Sequence, residues 1–387
     1  MLYSFKKINI EAPFPTTQCG HSVQTELVYE FKDHLYARVI GFKENDKHII
    51  HVSLDQLCFS AENRDILQNR LRKFYNSNLT LITSATHTHY ANSARDDKYV
   101  EFLLDTLYKE ITSMEYEEKN SVTSSFQKIH STACGKSRIS GYETNLEFLC
   151  LLRFYEEEKE FLTVIINNCH PTTLEATVPY FSSEYPGNTL RMLEEKHPDK
   201  NFSFIMGCSG DISSRFVRSG QNYEAMLELA RKLSLEVEEQ LSLTPEKKPL
   251  KLDYKETVLP YENEFTPIDL SNIRADLSPR ELQTIEIGQQ MRERMQNSPS
   301  KIFGQLPPSV LVGAWDIGSV KIIFYPNEIF SDYLTHINLD NTYLVSYSNG
   351  YGPYILPIGF EHITYEMFID TLTDKTKENL IKTIKSL

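Results

Sequence analysis

Two histidines stand one residue apart in the stretch TSATHTHYANSARDD, which follows an apolar, strand-like run. The chain has only 11 histidines, so the spacing of His87 and His89 is notable. Residues i and i+2 of an extended segment face the same side, so both rings can reach one point, as metal binding or proton transfer requires. Spacing alone leaves open whether these rings bind a metal, transfer a proton or only satisfy buried hydrogen bonds.

Two further strand-like runs end in polar clusters. TVIINNCH ends at His170, and FIMGCSGDISSR carries Asp211 and Ser213 after its apolar part. Ligands gather at the carboxyl ends of strands in α/β sheets, so we expect these clusters and the HTH segment to converge on one site. An isolated buried histidine is more often satisfied by a hydrogen bond than bound to metal, and that alternative stays open for His170.

Nucleophilic serine or cysteine chemistry is only weakly indicated. GCSGD is not the G-x-S-x-G motif, because Asp211 stands where the last glycine should be. Cys169 and His170 are neighbours whose side chains diverge on an extended backbone, which makes them a poor thiolate and base pair. We therefore favour metal chemistry.

The elements that must position these residues alternate between strand and helix patterns in the first half of the chain, which predicts an α/β domain. Ser60 is expected to cap the first helix. The predicted strands are LYARVIGF, HIIHVSLD, LTLITSAT, EFLCLLRFY, EFLTVIINN and NFSFIMG. The predicted helices are SAENRDILQNRLRKFY, DDKYVEFLLDTLYKEITSM and NYEAMLELARKLSLEVEEQL.

A second region begins near Pro245, where PEKKPLKLDYKETVLPY is predicted to form an extended arm. In the following helix, Ser278, Pro279 and Glu281 fit the N-cap, N1 and N3 positions of a capping box. QNSPSKIFGQLPPS predicts a flexible loop or lid, and DKTKENLIKTIKSL a terminal helix. We predict one catalytic domain over residues 1–387 and leave open a sub-boundary near residue 245.

Composition excludes several classes of partner. The formal net charge of −13 and the pI near 5.4 oppose binding to nucleic acid or anionic lipid, which attract basic surfaces. We find no signal-peptide core and no apolar run of the ~20 residues that a membrane span needs, so we expect a cytoplasmic protein without stable membrane insertion. The six cysteines form no C-x-x-C pair, as expected of scattered buried thiols in a reducing compartment.

Eight short segments occur in one order along the chain: INIEAPFPTTQCG, VSLD, ATHTH, NCHPTTL, SSEYPG, GCSGDISSR, FYPNEIF and SNGYGPYILP. In that order they resemble the N-terminal catalytic domain of the neutral/alkaline non-lysosomal ceramidase family, zinc-dependent amidases that cleave the N-acyl bond of ceramide. ATHTH is similar to that family's ATHTHS metal motif, and SNGYGPYILP to its SN-x-Y-x-x-Y-x-x-T segment. The resemblance implies mixed β-sheets flanked by helices, as in the ceramidase catalytic domain.

Carried over by position, the resemblance implies a zinc ion held by His87, His170, Glu328 and Tyr354. Neutral imidazoles and a carboxylate suit zinc, and a water bound there is acidified toward neutral pH. His89 would then stand beside the metal as a proton carrier or as a donor to the oxyanion.

Three further roles are implied by the same resemblance. Ser213 and Arg138 would hold polar groups of the substrate, Arg138 lying in GKSRISGY, which resembles the family's NRS segment. Tyr365 in TYEM resembles the tyrosine of the family's YE motif and would donate a hydrogen bond to the oxyanion. Structural alternatives stay open: Glu328 as an exposed carboxylate near a turn, Tyr354 as a packing aromatic and Arg138 as a surface cation.

Departures from the family motifs shape the expected substrate. HTHYA replaces HTHSG, which places the bulky Tyr90 beside the site and predicts a narrower cleft, and Ser214 replaces a proline. We also expect no counterpart of the family's C-terminal β-domain. We therefore predict a zinc-dependent hydrolase that uses a metal-activated water on a small, soluble N-acyl substrate. The alternatives are a non-catalytic metal-binding relative and a zinc hydrolase of esters or phosphoesters; the oligomeric state is not predicted.

Overall fold

The computed structural model describes residues 1–21, 26–131, 133, 135–139, 141–142, 148–265, 268, 279–297, 307–362 and 364–387. Its helices are α1 Ala61–Tyr75, α2 Asp97–Thr112, α3 Glu184–Lys196, α4 Tyr223–Leu241, α5 Pro279–Asn297, α6 Tyr365–Ile369 and α7 Asp374–Ser386, with 3₁₀ turns at Ser214–Phe216 and Ser331–His336. Its strands are β1 Leu2–Asn9, β2 Glu30–Phe31, β3 Tyr36–Glu44, β4 Lys47–Leu54, β5 Thr80–Ala85, β6 Glu117–Glu118, β7 Val122–His130, β8 Lys136–Ser137, β9 Phe148–Glu156, β10 Lys159–Asn167, β11 Tyr180–Phe181, β12 Asn201–Met206, β13 Ile212–Ser213, β14 Lys248–Pro249, β15 Asp253–Pro260, β16 Ser309–Asp316, β17 Lys321–Phe324, β18 Asn327–Ile329, β19 Thr342–Val345 and β20 Gly352–Ile355.

Two five-stranded sheets form the centre of the fold. The first has the order β5-β4-β3-β1-β6 and the second the order β12-β10-β9-β7-β14. Each contains one parallel pair, β4 with β5 and β10 with β12, and is otherwise antiparallel. The prediction of mixed sheets is therefore confirmed. A third sheet, β15-β16-β17-β19, and the parallel pair β18-β20 complete the part that carries the site.

The two central sheets pack face to face, and helices cover their outer faces. Alternate residues of a strand point to opposite faces, so in β9 Cys150 and Leu152 enter the core between the sheets while Leu149 and Leu151 face α3 and α4. Helices α1 and α2 cover the first sheet in the same way. Burying each large aliphatic side chain stabilises this arrangement by about 1.5–3 kcal/mol relative to exposure.

Most elements lie where the patterns predict them. The Ser60 hydroxyl accepts a hydrogen bond from the Asn63 amide at 3.1 Å, which confirms the cap of α1. Helix α5 begins at Pro279, as predicted. Ser278, residues 298–306 of the predicted lid and the side chain of Glu281 lie outside the described part of the structure.

The segment after Pro245 is more than an extended arm. It forms β14, which pairs with β7 of the second central sheet, and β15, which pairs with β16 along its whole length. Apolar residues from both sides of residue 245, including Leu152 and Trp315, share one core. The assignment of a single catalytic domain stays a prediction.

Candidate metal centre

The two neighbouring histidines come together at a sharp turn. Strand β5 ends at Ala85, and His87 has a φ angle of 63°, in the left-handed region that non-glycine residues rarely adopt. The prediction of an extended segment from His87 to His89 is therefore wrong, because the chain turns immediately after the strand. The expected proximity of the two rings is nevertheless confirmed, since their centroids lie 4.9 Å apart. Backbone strain of this kind is concentrated at functional sites.

His170 completes a cluster of three imidazoles. It follows β10 of the second sheet, and its amide donates a hydrogen bond to the Ile212 carbonyl at 2.9 Å. One nitrogen of each ring, in His87, His89 and His170, lies within 4.8 Å of the other two. Their exposed fractions are 1%, 9% and 1%. The ends of strands from both central sheets thus converge, as the sequence predicts.

Hydrogen bonds to backbone carbonyls set the orientation of two of these rings. Nδ1 of His87 lies 2.8 Å from the Leu57 carbonyl oxygen, and Nδ1 of His89 lies 3.1 Å from the His87 carbonyl oxygen. A nitrogen facing a carbonyl must carry a proton, so in the neutral form of either ring Nε2 is the nitrogen with the free lone pair. Such backbone contacts are typical of histidines that bind metals.

Two ring nitrogens are buried without a hydrogen-bond partner among the described residues: Nε2 of His87 and Nδ1 of His170. Buried polar atoms are nearly always satisfied, so these orphans call for a ligand. Burial, reinforced by the neighbouring His87, lowers the pKa of His89 and His170 well below the usual range. Both rings are consequently neutral, which is the form that binds a metal. The chemistry of this donor set fits zinc.

Glu328 reaches the cluster from β18. Its side chain is 4% exposed, and Oε2 lies 3.5 Å from Nε2 of His87. The Tyr351 hydroxyl donates to Oε1 at 2.5 Å and the Tyr347 hydroxyl to Oε2 at 3.4 Å. Burial raises the pKa of Glu328, but His87 and the hydroxyls of Tyr351 and Tyr354 outweigh that effect and lower it overall. The carboxylate is buried and ionised, not an exposed group at a turn.

Tyr354 stands beside Glu328, because β18 and β20 pair in parallel with these two residues in register. Nη2 of Arg138 donates to the Tyr354 hydroxyl oxygen at 3.0 Å and to the Gly210 carbonyl at 2.8 Å. Nε of Arg138 is buried without a partner among the described residues. Arg138 is therefore not a solvated surface cation, and its guanidinium orients Tyr354.

Ser213 and Tyr365 flank this group. Ser213 pairs with His170 through a parallel bridge, and its hydroxyl oxygen accepts from the Arg215 amide at 3.4 Å, which leaves the hydroxyl proton free to donate. Tyr365 begins α6, and its ring centroid lies 6.2 Å from that of Tyr354 in an edge-on arrangement. All eight predicted site residues therefore lie in or beside one buried cluster.

Asp211 and Tyr90 have structural roles. Asp211 accepts hydrogen bonds from the amide and hydroxyl of Ser331 at 2.7 and 2.8 Å, and burial raises its pKa to about 6. Tyr90 packs in the core beneath the second sheet and donates to the Leu174 carbonyl at 2.7 Å. The expectation that Tyr90 narrows the cleft is therefore wrong, because its side chain points into the core.

Sequence reasoning missed two neighbours of the site. His21 lies with Nε2 3.2 Å from the Tyr90 hydroxyl and its ring 4.8 Å from that of His89; burial lowers its pKa to about 4. No spacing pattern marks it. Glu366 forms an ion pair with Arg138 at 2.7 Å. It directly follows Tyr365, so the TYEM segment already contained that signal.

Comparison with known proteins identifies the fold. No protein-family profile and no curated protein matches the sequence. Among solved structures, neutral ceramidase from Pseudomonas aeruginosa aligns over 99% of this chain and 73% of its own, with a TM-score of 0.77 and 13% identity. A ceramidase complexed with C2 aligns over 99% and 74%, with a TM-score of 0.76 and 13% identity. The chain has the neutral ceramidase fold.

The neutral ceramidase fold confirms the predicted α/β class with mixed sheets flanked by helices, and it confirms the resemblance at the level of structure. At 13% identity the likeness extends to the fold alone. The chemistry must therefore be argued from the site. Among the described residues, no helix is long and apolar enough to cross a membrane.

Proposed function

We propose that the chain is a zinc-dependent hydrolase of an N-acyl amide bond. The observation that carries this proposal is the meeting of three buried imidazoles with an ionised, buried carboxylate, from Glu328, in a chain of the neutral ceramidase fold. Imidazole nitrogens and carboxylate oxygens are the donors that catalytic zinc prefers. A zinc ion bound there supplies a water of lowered pKa and polarises a carbonyl.

We assign His87, His170, Glu328 and Tyr354 as the residues that hold the metal. His87 and His170 carry the two orphaned ring nitrogens, and Glu328 and Tyr354 are neighbours across the β18-β20 pair. His89 is the most exposed of the three rings, at 9% against 1%. We assign it the role of proton carrier, since it can exchange a proton with a bound substrate while its Nδ1 stays on the His87 carbonyl.

The remaining polar groups fit the charge that develops on an amide carbonyl. The Tyr365 hydroxyl and the unpaired Nε of Arg138 are donors beside the cluster, and such donors stabilise an oxyanion most effectively when they are fixed in advance. Ser213 offers a hydroxyl proton to another polar group of the substrate. None of these assignments requires an acyl-enzyme.

We further propose a small, water-soluble N-acyl substrate. The net charge of −13 disfavours docking on anionic membranes, where long-chain amides reside. Tyr90 gives no support to a small substrate, because its side chain lies in the core.

The test is a hydrolysis screen of N-acyl amines, esters and phosphoesters with the protein as purified, after chelation and after zinc is restored. We expect amide hydrolysis that chelation abolishes and zinc restores. Turnover of esters or phosphoesters alone would replace the amidase assignment, and stoichiometric zinc without any turnover would indicate a non-catalytic relative.

A further inference from the structure

Glu366, which has no role in the proposed chemistry, forms an ion pair with Arg138. Oε1 of Glu366 lies 2.7 Å from Nη2 of Arg138, and the two side chains are 6% and 19% exposed. A carboxylate and a guanidinium at this distance and burial form a strong, charge-assisted hydrogen bond. The same Nη2 atom contacts the Tyr354 hydroxyl oxygen at 3.0 Å. A single nitrogen therefore links Glu366 to a proposed metal ligand.

Glu366 also lies in the first turn of α6, directly after Tyr365. Docking its carboxylate on Arg138 thus fixes the start of the helix that presents Tyr365. The Tyr365 ring in turn packs edge-on against Tyr354. One buried ion pair therefore helps to fix the guanidinium that contacts Tyr354 and the start of the helix that carries Tyr365.

We propose that Glu366 is a positioning residue that acts through Arg138 to orient Tyr354 and Tyr365 toward the metal-bound substrate. The inference rests on the proposed function and adds to it a residue outside the predicted ligand and donor set. Glu366 makes no substrate contact of its own in this scheme. Its removal leaves Nη2 of Arg138 with only the Gly210 carbonyl and the Tyr354 hydroxyl as acceptors, so the guanidinium is less firmly fixed and orients Tyr354 less well.

The experiment is a double-mutant cycle of Glu366→Gln and Arg138→Lys, because only a cycle isolates the coupling of two residues. Glutamine keeps the shape and removes the charge, and lysine keeps the charge and removes the planar fork. Glu361→Gln is the matched control, since Glu361 is an exposed glutamate on the same segment. Each protein is assayed for zinc content, for the affinity of acetohydroxamate as a zinc-directed probe, and for kcat and KM on the best N-acyl substrate.

We expect the Glu366→Gln protein to retain zinc and to bind acetohydroxamate about tenfold more weakly. Its kcat should fall about tenfold or more, while its KM changes less than threefold. We expect Arg138→Lys to do the same and the double variant to be no worse than either single one. Glu361→Gln should match the wild type. If Glu366→Gln fails to fold, Glu366→Asp, which keeps the charge on a shorter stem, takes its place with a smaller loss in the same direction.

Two results would overturn the proposal. One is an unchanged hydroxamate affinity in a zinc-loaded Glu366→Gln protein. The other is a double variant whose loss equals the product of the losses of the two single variants, which would show that the residues act independently. A wild-type protein that binds neither zinc nor hydroxamate would instead refute the proposed function, and the role of Glu366 would fall with it. Zinc and hydroxamate binding without amide hydrolysis would refute the amidase assignment alone, and the hydroxamate cycle would still decide the role of Glu366.

Discussion

Nε2 of His87 lies 3.5 Å from Oε2 of Glu328, and this nitrogen has no hydrogen-bond partner among the described residues. Nδ1 of His87 faces the Leu57 carbonyl, so Nε2 is the nitrogen that points at the ionised carboxylate of Glu328. A buried imidazole nitrogen and a buried carboxylate that face each other in this way offer two donor atoms to a metal ion. This relationship is the strongest physical reason to expect a metal ion at this site.

Replacing His89 with alanine should separate proton transfer from metal binding. We expect the variant to retain zinc and to lose on the order of 100-fold or more in kcat, the range that a positioned acid or base contributes. Zinc analysis and steady-state kinetics on the same sample check this. Loss of the metal together with activity would show that His89 is a ligand.

Replacing Ser213 with alanine should lower turnover without abolishing it. The hydroxyl supplies one hydrogen bond in the proposed scheme, so a loss of about tenfold is expected. No acyl-enzyme should form, and mass spectrometry of a quenched reaction would detect one. An adduct on Ser213 would rule out direct attack by water.

The buried carboxyl of Asp211 should make the metal-free protein less stable as pH rises. Its folded pKa, raised to about 6 by burial, lies above the usual 3.8. The folded state therefore binds more protons between these values, and the stability from protonated Asp211 is lost as pH rises through about 6. Asp211→Asn mimics the protonated form, so the free energy of unfolding of the wild type should fall relative to this variant by about 1 kcal/mol between pH 5 and 7.5.

Urea unfolding of both proteins across this pH range provides the measurement. Asp340→Asn, at an exposed position, is the control and should track the wild type. A pH-independent difference between the wild type and Asp211→Asn would show that Asp211 is ionised throughout, held by its two hydrogen bonds from Ser331.

The substrate prediction concerns short, soluble N-acyl amines and long-chain ceramide. We expect kcat/KM to be at least tenfold higher for the best soluble amide than for ceramide in mixed micelles. The acidic chain repels anionic lipid, and salt screens the repulsion between them. Assays with neutral and anionic micelles at two salt concentrations separate charge from chain length. A clear preference for ceramide in every condition would contradict the prediction.

The sequence predicts the scaffold well because its signals are local. Apolar alternation and helical stripes identify the strands and helices of the two central sheets, and Ser60 caps the helix that its position indicates. The convergence of His87 and His170 follows from a general property of strand ends in α/β sheets. The additional proposed ligands Glu328 and Tyr354 came from motif resemblance, because nothing local marks a glutamate in PNEIF as buried.

Features that depend on contacts distant in sequence were not predictable. His87 has a positive φ at the turn that follows β5, and segment 347–349, distant in sequence, hydrogen-bonds to the end of that strand. Tyr90 was expected in the cleft, yet its partner is the Leu174 carbonyl in the core. His21 and Glu366 are recognised as neighbours of the site only through their contacts with His89 and Arg138, which the fold brings beside them.

Zinc content across a set of single variants tests the central claim most directly. Elemental analysis of the wild type should give close to one zinc per chain, with His87→Ala, His170→Ala and Glu328→Ala each far below that value, since losing one of these donors leaves too weak a site. His48→Ala is the control: His48 is also buried, but it contacts the Tyr116 hydroxyl away from the cluster, and it should retain full zinc. Near-stoichiometric zinc in all three site variants would contradict the account.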